Sequence, residues 1–329
     1  MSKVLAARHN NLYERIVNVL GNGAGRTGYG QGQGEGYGTA LESFPVSKLD
    51  DANNNVATAE AINAIYADLV RARIHQIRTE PTEIAEIIAN ANIIAEETSF
   101  FVAFGEDDTL IEVQDEDGTK KGILDFERLI SDIEQDKFLI DPSQAILESA
   151  ISSARTRSWN GLITHEVAVT FRNADHRRHF FNSGGEIRIN LSNSGSTEPK
   201  GQDWGILCAN LGTVSFNASE TTAVSVPTSA QIGNYELTEN YQTLINYVGG
   251  GKLTGAFFGL YSTNVVTISA KQTNDAIINF KIEFNDLADK NFSDENVTGR
   301  LESVFQQFRA NSNSVSVPAP TFSNVADIS

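Results

Sequence analysis

The prevailing spacing of the apolar residues changes past Trp159, and the change limits the fold more than any other feature. Leu12, Ile16, Val19 and Leu20 stand at i, i+4, i+7 and i+8 before Gly21, the pattern of an amphipathic helix with a glycine stop. A second helix is expected over about Ala57 to Ile77, a third from Pro81, and a fourth on Phe126, Leu129, Ile130 and Ile133. Asp141-Pro142 reads as cap and first turn of another, carrying Ile146, Leu147, Ala150, Ile151 and Ala154. Past Trp159 the period becomes two. Val167, Val169 and Phe171 alternate, as do Ile187, Ile189 and Leu191, and Ile278, Phe280, Ile282 and Phe284, which predicts half-buried strands.

Shorter pairs, Val214 with Phe216, Val224 with Val226 and Val266 with Ile268, add strands, as does the stretch from Leu301 to Phe305. Two helices are expected among them, one capped by Asp203 with Trp204, Leu207, Cys208 and Leu211, one capped by Thr238 with Tyr241, Leu244, Ile245 and Val248. The fold class expected is α+β: a mainly helical region over 1–158, then an antiparallel, β-sandwich-like domain over 159–329. Strands do not alternate regularly with helices, which argues against a parallel α/β scaffold.

Within the helical region, Gly21 to Gly38 is half glycine and has no hydrophobic period. Such a stretch is either a linker or an irregular loop packed against a surface that missing side chains let it approach. Tyr29, Gln31, Gln33 and Tyr37 give it groups suited to a protein interface. Phe100 to Phe104 and Leu110 to Val113 read as short strands, with Asp117-Gly118 as the turn of a small hairpin near 100–122.

Composition excludes several classes. The net charge of −17 argues against a nucleic-acid binder, which needs a basic face. Residues 80–136 hold 17 acids against Lys120, Lys121 and Arg128, so this one stretch carries most of the excess. It is read as a solvated face or as a match for a basic neighbour. No apolar run approaches the ~20 residues of a membrane span, and the first residues lack a signal-peptide core. Membrane insertion is not expected, and synthesis in a cytoplasm is. Cys208 stands alone, so no internal disulfide or cysteine-rich zinc site is available.

Candidate chemical motifs fail on context. Gly23 to Gly28 matches GxGxxG, but a helix precedes it and more glycine follows, where a dinucleotide site needs a strand before and a helix after. An EF-hand reading of Asp115 to Gly118 puts Val113 and Leu124 where carboxylates are required. His165, His176 and His179 are close in sequence, but His176 and His179 fall in a stretch expected to turn between strands, and proximity does not make lone pairs converge. No catalytic residue, metal ligand or cofactor site is assigned.

Several segments resemble a family of virion structural proteins of contractile-tailed bacteriophages that infect marine cyanobacteria. Leu12 to Gln31 is similar to the family's opening helix and glycine-rich loop, and Ile62 to Gln76 to its second helix ending in His-Gln. His179 to Ile189, Asp203 to Phe216, Ile245 to Gly251 and Ile277 to Asn285 resemble its β-domain. The second helix departs from the family in offering Ile65 or Tyr66 where a Trp is usual. The resemblance implies a particle component of the tail, neck or fibre apparatus, without an enzymatic role, assembling with other virion proteins as a symmetric homo-oligomer. Leu12, Ile16, Tyr29, Gln31 and Tyr37 are the residues expected to dock partners. An alternative is a carbohydrate-binding adhesin that recognises a host surface glycan, with Trp159, Trp204, Tyr247 or Tyr261 stacking on a sugar ring.

Overall fold

The computed structural model describes residues 6–21, 36–39, 59–76, 123–224, 232–249, 261–287 and 296–328. Among these residues the chain is mixed α+β. The helices are α1 (Ala6–Leu20), α2 (Ala59–Gln76), α3 (Ile123–Gln135), α4 (Ala174–Asn182) and α5 (Pro199–Leu211). The strands are β1 (Ala145–Arg155), β2 (Leu162–Thr170), β3 (Glu186–Ser194), β4 (Val214–Phe216), β5 (Thr221–Ala223), β6 (Gln242–Val248), β7 (Val265–Asn274), β8 (Ile277–Asn285), β9 (Arg300–Ala310) and β10 (Thr321–Ile328). Contacts divide the chain into two compact units. One holds residues 1–146, 178–184 and 310–317, the other 147–177, 185–309 and 318–329. The chain first passes between them at Ile146–Leu147, where the sequence put the boundary near Ser158, and crosses four more times.

The first unit is built on α1, α2 and α3, each in contact with the other two. Leu12, Ile16 and Leu20 of α1, Leu69 and Ala72 of α2, and Ile130 and Ile133 of α3 are all completely buried, the outcome expected of apolar stripes at a period of 3.6. Two bidentate pairs tie α1 to α3. Arg8 Nε and Nη2 donate to Glu127 at 2.8 and 2.7 Å, and Arg15 Nε and Nη2 donate to Glu134 at 2.9 and 2.6 Å. Arg73 of α2 pairs with Asp136 at 2.5 Å. Part of the acidic stretch is therefore matched by arginines of the same chain. Phe180 and Phe181, at the end of α4, belong to this unit and are fully buried, edge to face with centroids 5.0 Å apart.

The second unit contains two antiparallel five-stranded sheets, in the orders β1-β9-β3-β4-β5 and β10-β2-β8-β7-β6. Alternate residues of β2, β3 and β8 are buried, and the buried faces meet. Phe216 of β4 lies edge-on to Phe280 of β8 at 5.2 Å, Phe280 reaches Phe305 of β9 at 5.8 Å, and His165 Nδ1 of β2 is 2.8 Å from Ser303 Oγ of β9. Helix α5 packs on β3, while its Trp204 reaches Phe284 of β8 at 6.1 Å.

Four local readings need correction. Residues 145–155 form edge strand β1, not a helix; Asp141 and Pro142 open only a 3-10 turn, with Ser143 N donating to Asp141 Oδ1 at 2.8 Å. Both faces of β1 are largely wet, so the alternation that marks a half-buried strand is missing. The second is β6, also an edge strand. Its register slips between Thr243 and Ile245, so that adjacent Leu244 and Ile245 are both buried and imitate helical spacing. The third is α4, which holds His176 and His179 on a helix; Asn173 Oδ1 accepts from His176 N at 2.8 Å, an N-cap contact. The last is α5, which begins at Pro199 with Glu198 at the cap position, leaving Asp203 buried inside the helix. Strand β10 was not expected at all. The helix from Pro81, the hairpin near 100–122 and Val226 lie outside the described residues.

Candidate functional site

The densest arrangement of polar groups in the first unit sits where the glycine-rich stretch rejoins the fold. A helix leaves its last four carbonyls without intrahelical partners. In α1 all four are taken: Val17 O by Gly21 N at 2.8 Å, Asn18 O by Gly36 N at 2.7 Å, Val19 O by Tyr37 N at 2.9 Å and Leu20 O by Thr39 N at 2.8 Å. Gly38 N also donates to Gly21 O at 3.1 Å, so the two ends of the stretch are held side by side. Glycine is required here. Gly36 and Gly38 have φ of +76° and +80°, and a Cβ would stand 1.9 Å from Gly21 O at the first and 2.4 Å from His179 Nδ1 at the second.

Side chains lock the same place. Tyr37 is buried, its hydroxyl donating to Lys137 O at 2.7 Å and accepting from Gln76 Nε2 at 2.7 Å; Gln76 Nε2 also donates to Ile133 O at 3.0 Å. Asn182 Nδ2 donates to Gly36 O at 3.1 Å. His75 has its ring 5.1 Å from that of Tyr37, and its Nε2 donates to Ser183 O at 2.9 Å, leaving Nδ1 with no partner among the described residues. Burial holds His75 neutral, pushing it down to about 4, and drives the Tyr37 hydroxyl upward. These groups are fixed by backbone carbonyls and closed off from solvent, so they serve to hold chain segments rather than to exchange protons. Leu12, Ile16 and Tyr37, expected to dock a partner, are instead packed inside their own unit with at most 1% exposure. Tyr29 and Gln31 lie outside the described residues.

In the second unit, three of the four aromatics proposed to stack on a sugar are enclosed. Trp159 and Trp204 are buried against one another with centroids 5.2 Å apart, and Tyr261 is buried too. Tyr247 is half-buried on the edge strand β6. An exposed ring needs an open face, which the tryptophans and Tyr261 lack as folded. The sequence missed Tyr241, whose hydroxyl donates to Glu166 and whose ring lies under Lys271 and Lys281, with Nζ 4.6 and 5.0 Å from its centroid. Glu166 and Lys281 are register partners on β2 and β8. Their alternation is visible in each strand, but the pairing depends on register, which no local pattern supplies.

The remaining motif residues have structural partners. His176 Nδ1 accepts from Arg172 N at 3.1 Å, so Nε2 donates to Pro318 O at 2.7 Å. Burial pushes the Cys208 thiol up to about 12, leaving it protonated and unreactive at neutral pH. Among the described residues no three His, Cys, Asp or Glu converge to hold a metal ion, and no helix is long and apolar enough to cross a membrane. Lys200 and Asp286, which the sequence did not single out, form a buried ion pair of 2.7 Å. The chain matches no known protein family, curated protein or solved structure.

Proposed function

We propose that this chain is a non-enzymatic structural component of a tailed bacteriophage virion, in the tail, neck or fibre apparatus, made in the host cytoplasm and assembled by protein–protein contacts with other virion proteins and with copies of itself. One observation carries the reading. The segments similar to the phage family are far apart in sequence, yet the end of the opening helix, the His-Gln end of the second helix and the Phe-Asn-Ser stretch of residues 181–183 are hydrogen-bonded together around Gly36 and Tyr37. That clasp fixes Gly21 and Gly36, the two residues that flank 22–35, and an ordered base lowers the entropy lost when a segment binds. The engaged side chains around it suit a part that is held and transmits force, not one that turns over substrate. Immunogold labelling of purified particles with an antibody against this chain is the test. Regular labelling at one place on the particle is expected; particles that lack the chain would overturn the proposal.

A further inference from the structure

We propose that Lys200 and Asp286 condense to an intramolecular amide, a covalent staple formed by the chain itself. Lys200 Nζ lies 2.7 Å from Asp286 Oδ2, with the two side chains 1% and 0% exposed. Asp203, also buried, follows Lys200 by three residues on α5 and so shares its face of the helix, as does Trp204. Trp204 packs on Trp159 and Phe284, and Phe284 stands two residues before Asp286. Lys200, Asp203 and Asp286 thus put one amino and two carboxyl groups at buried positions, and Trp159, Trp204 and Phe284 are buried as well.

Both backbones are fixed. Asn193 Nδ2 donates to Gly201 O at 2.7 Å, holding the first turn of α5, while Asp286 N donates to Gly161 O at 2.7 Å and Leu287 N to Asn264 Oδ1 at 3.1 Å, holding the end of β8. Two reacting groups held this way behave as if at very high concentration. Away from water a separated pair of charges is costly, which favours passage of one ammonium proton to the Asp286 carboxylate and leaves an amine beside an acid. The nitrogen lone pair of Lys200 then attacks Cγ of Asp286, forming the C–N bond. Asp203 takes a proton from that nitrogen and returns it to the departing hydroxyl. The C–O bond breaks, the carbonyl re-forms and one water leaves. Asp203 ends as it began, and nothing is oxidised or reduced.

The intact mass of the full-length chain, measured after denaturation, tests the bond. A mass lower than the sequence requires by one water is expected, together with a branched tryptic peptide that joins the segments around Lys200 and Asp286. The full sequence mass overturns the proposal, and so does a water loss without the branched peptide. Lys200→Arg should restore the full mass. Asp203→Asn tests the proton carrier without removing either reacting group: the fraction of chain lacking a water should grow slower by on the order of a hundredfold, and an unchanged rate removes Asp203 from the step.

Discussion

His75 makes a pH-dependent contribution whose sign follows from its burial. Its value is about 4 in the folded chain against an ordinary value of 6.5, so between these limits the unfolded chain binds the extra proton. The stabilisation is complete above pH 6.5 and disappears as pH falls toward 4, a loss of about 3 kcal/mol. His9, also lowered by burial, acts in the same direction. Thermal midpoints recorded from pH 7 to pH 4 should fall steeply in the wild type and less in His75→Gln, which keeps a donor for Ser183 O but cannot take up a proton. Equal slopes would remove His75 from the effect. At Tyr37 the prediction is independent of pH. Tyr37→Phe leaves Lys137 O without its donor and takes from Gln76 one of its two acceptors, a loss of about 1–3 kcal/mol in a denaturant titration.

Between elements, the clasp on α1 separates what residues 36–39 do from what residues 22–35 do. Replacing 22–35 by a short glycine linker keeps every donor to Asn18, Val19 and Leu20, so the circular dichroism melt should stay within a few degrees of wild type while incorporation into particles is lost. Normal incorporation would remove the loop from assembly. Gly38→Ala should do the opposite and lower the melt, since its Cβ meets the His179 ring. The glycine-rich composition alone could not make this distinction, because it reports backbone freedom and not which carbonyls the backbone reaches. Helices α1, α2 and α3 were legible because each buries one continuous stripe, and β2, β3 and β8 because each buries every second residue. The two strands misread as helices sit at sheet edges. Wet faces in β1 and a bulge in β6 erase the period that a central strand keeps. The candidate sites were less legible than the elements, because His75 with Ser183 and Lys200 with Asp286 are pairings across long sequence separation.

Over the whole molecule, the interleaving of the two units decides how the chain can be cut. A boundary at Ser158 suggests that 1–158 folds alone, but the first unit also uses residues 178–184 and 310–317. Those two short segments supply Phe180, Phe181, Val315 and Val317, none more than 1% exposed. Each such side chain is worth about 2 kcal/mol on burial, so their combined loss is comparable to the ~5–15 kcal/mol that stabilises a whole domain. A fragment comprising 1–158 should therefore show no cooperative melt and should bind a dye that reports exposed apolar surface. The fragment 159–329 loses β1, which pairs with β9 and whose Ser153 donates to Asn324 Oδ1 at 2.8 Å, but it keeps every other strand. It should retain a β-sheet spectrum with a lowered midpoint. Mixing the two fragments offers a stricter reading of the same interleaving: cooperative melting should return only if 178–184 and 310–317 reach the helices from the other fragment. A sharp melt of 1–158 by itself would mean that α1, α2 and α3 form a sufficient core, and that the two inserted segments are dispensable.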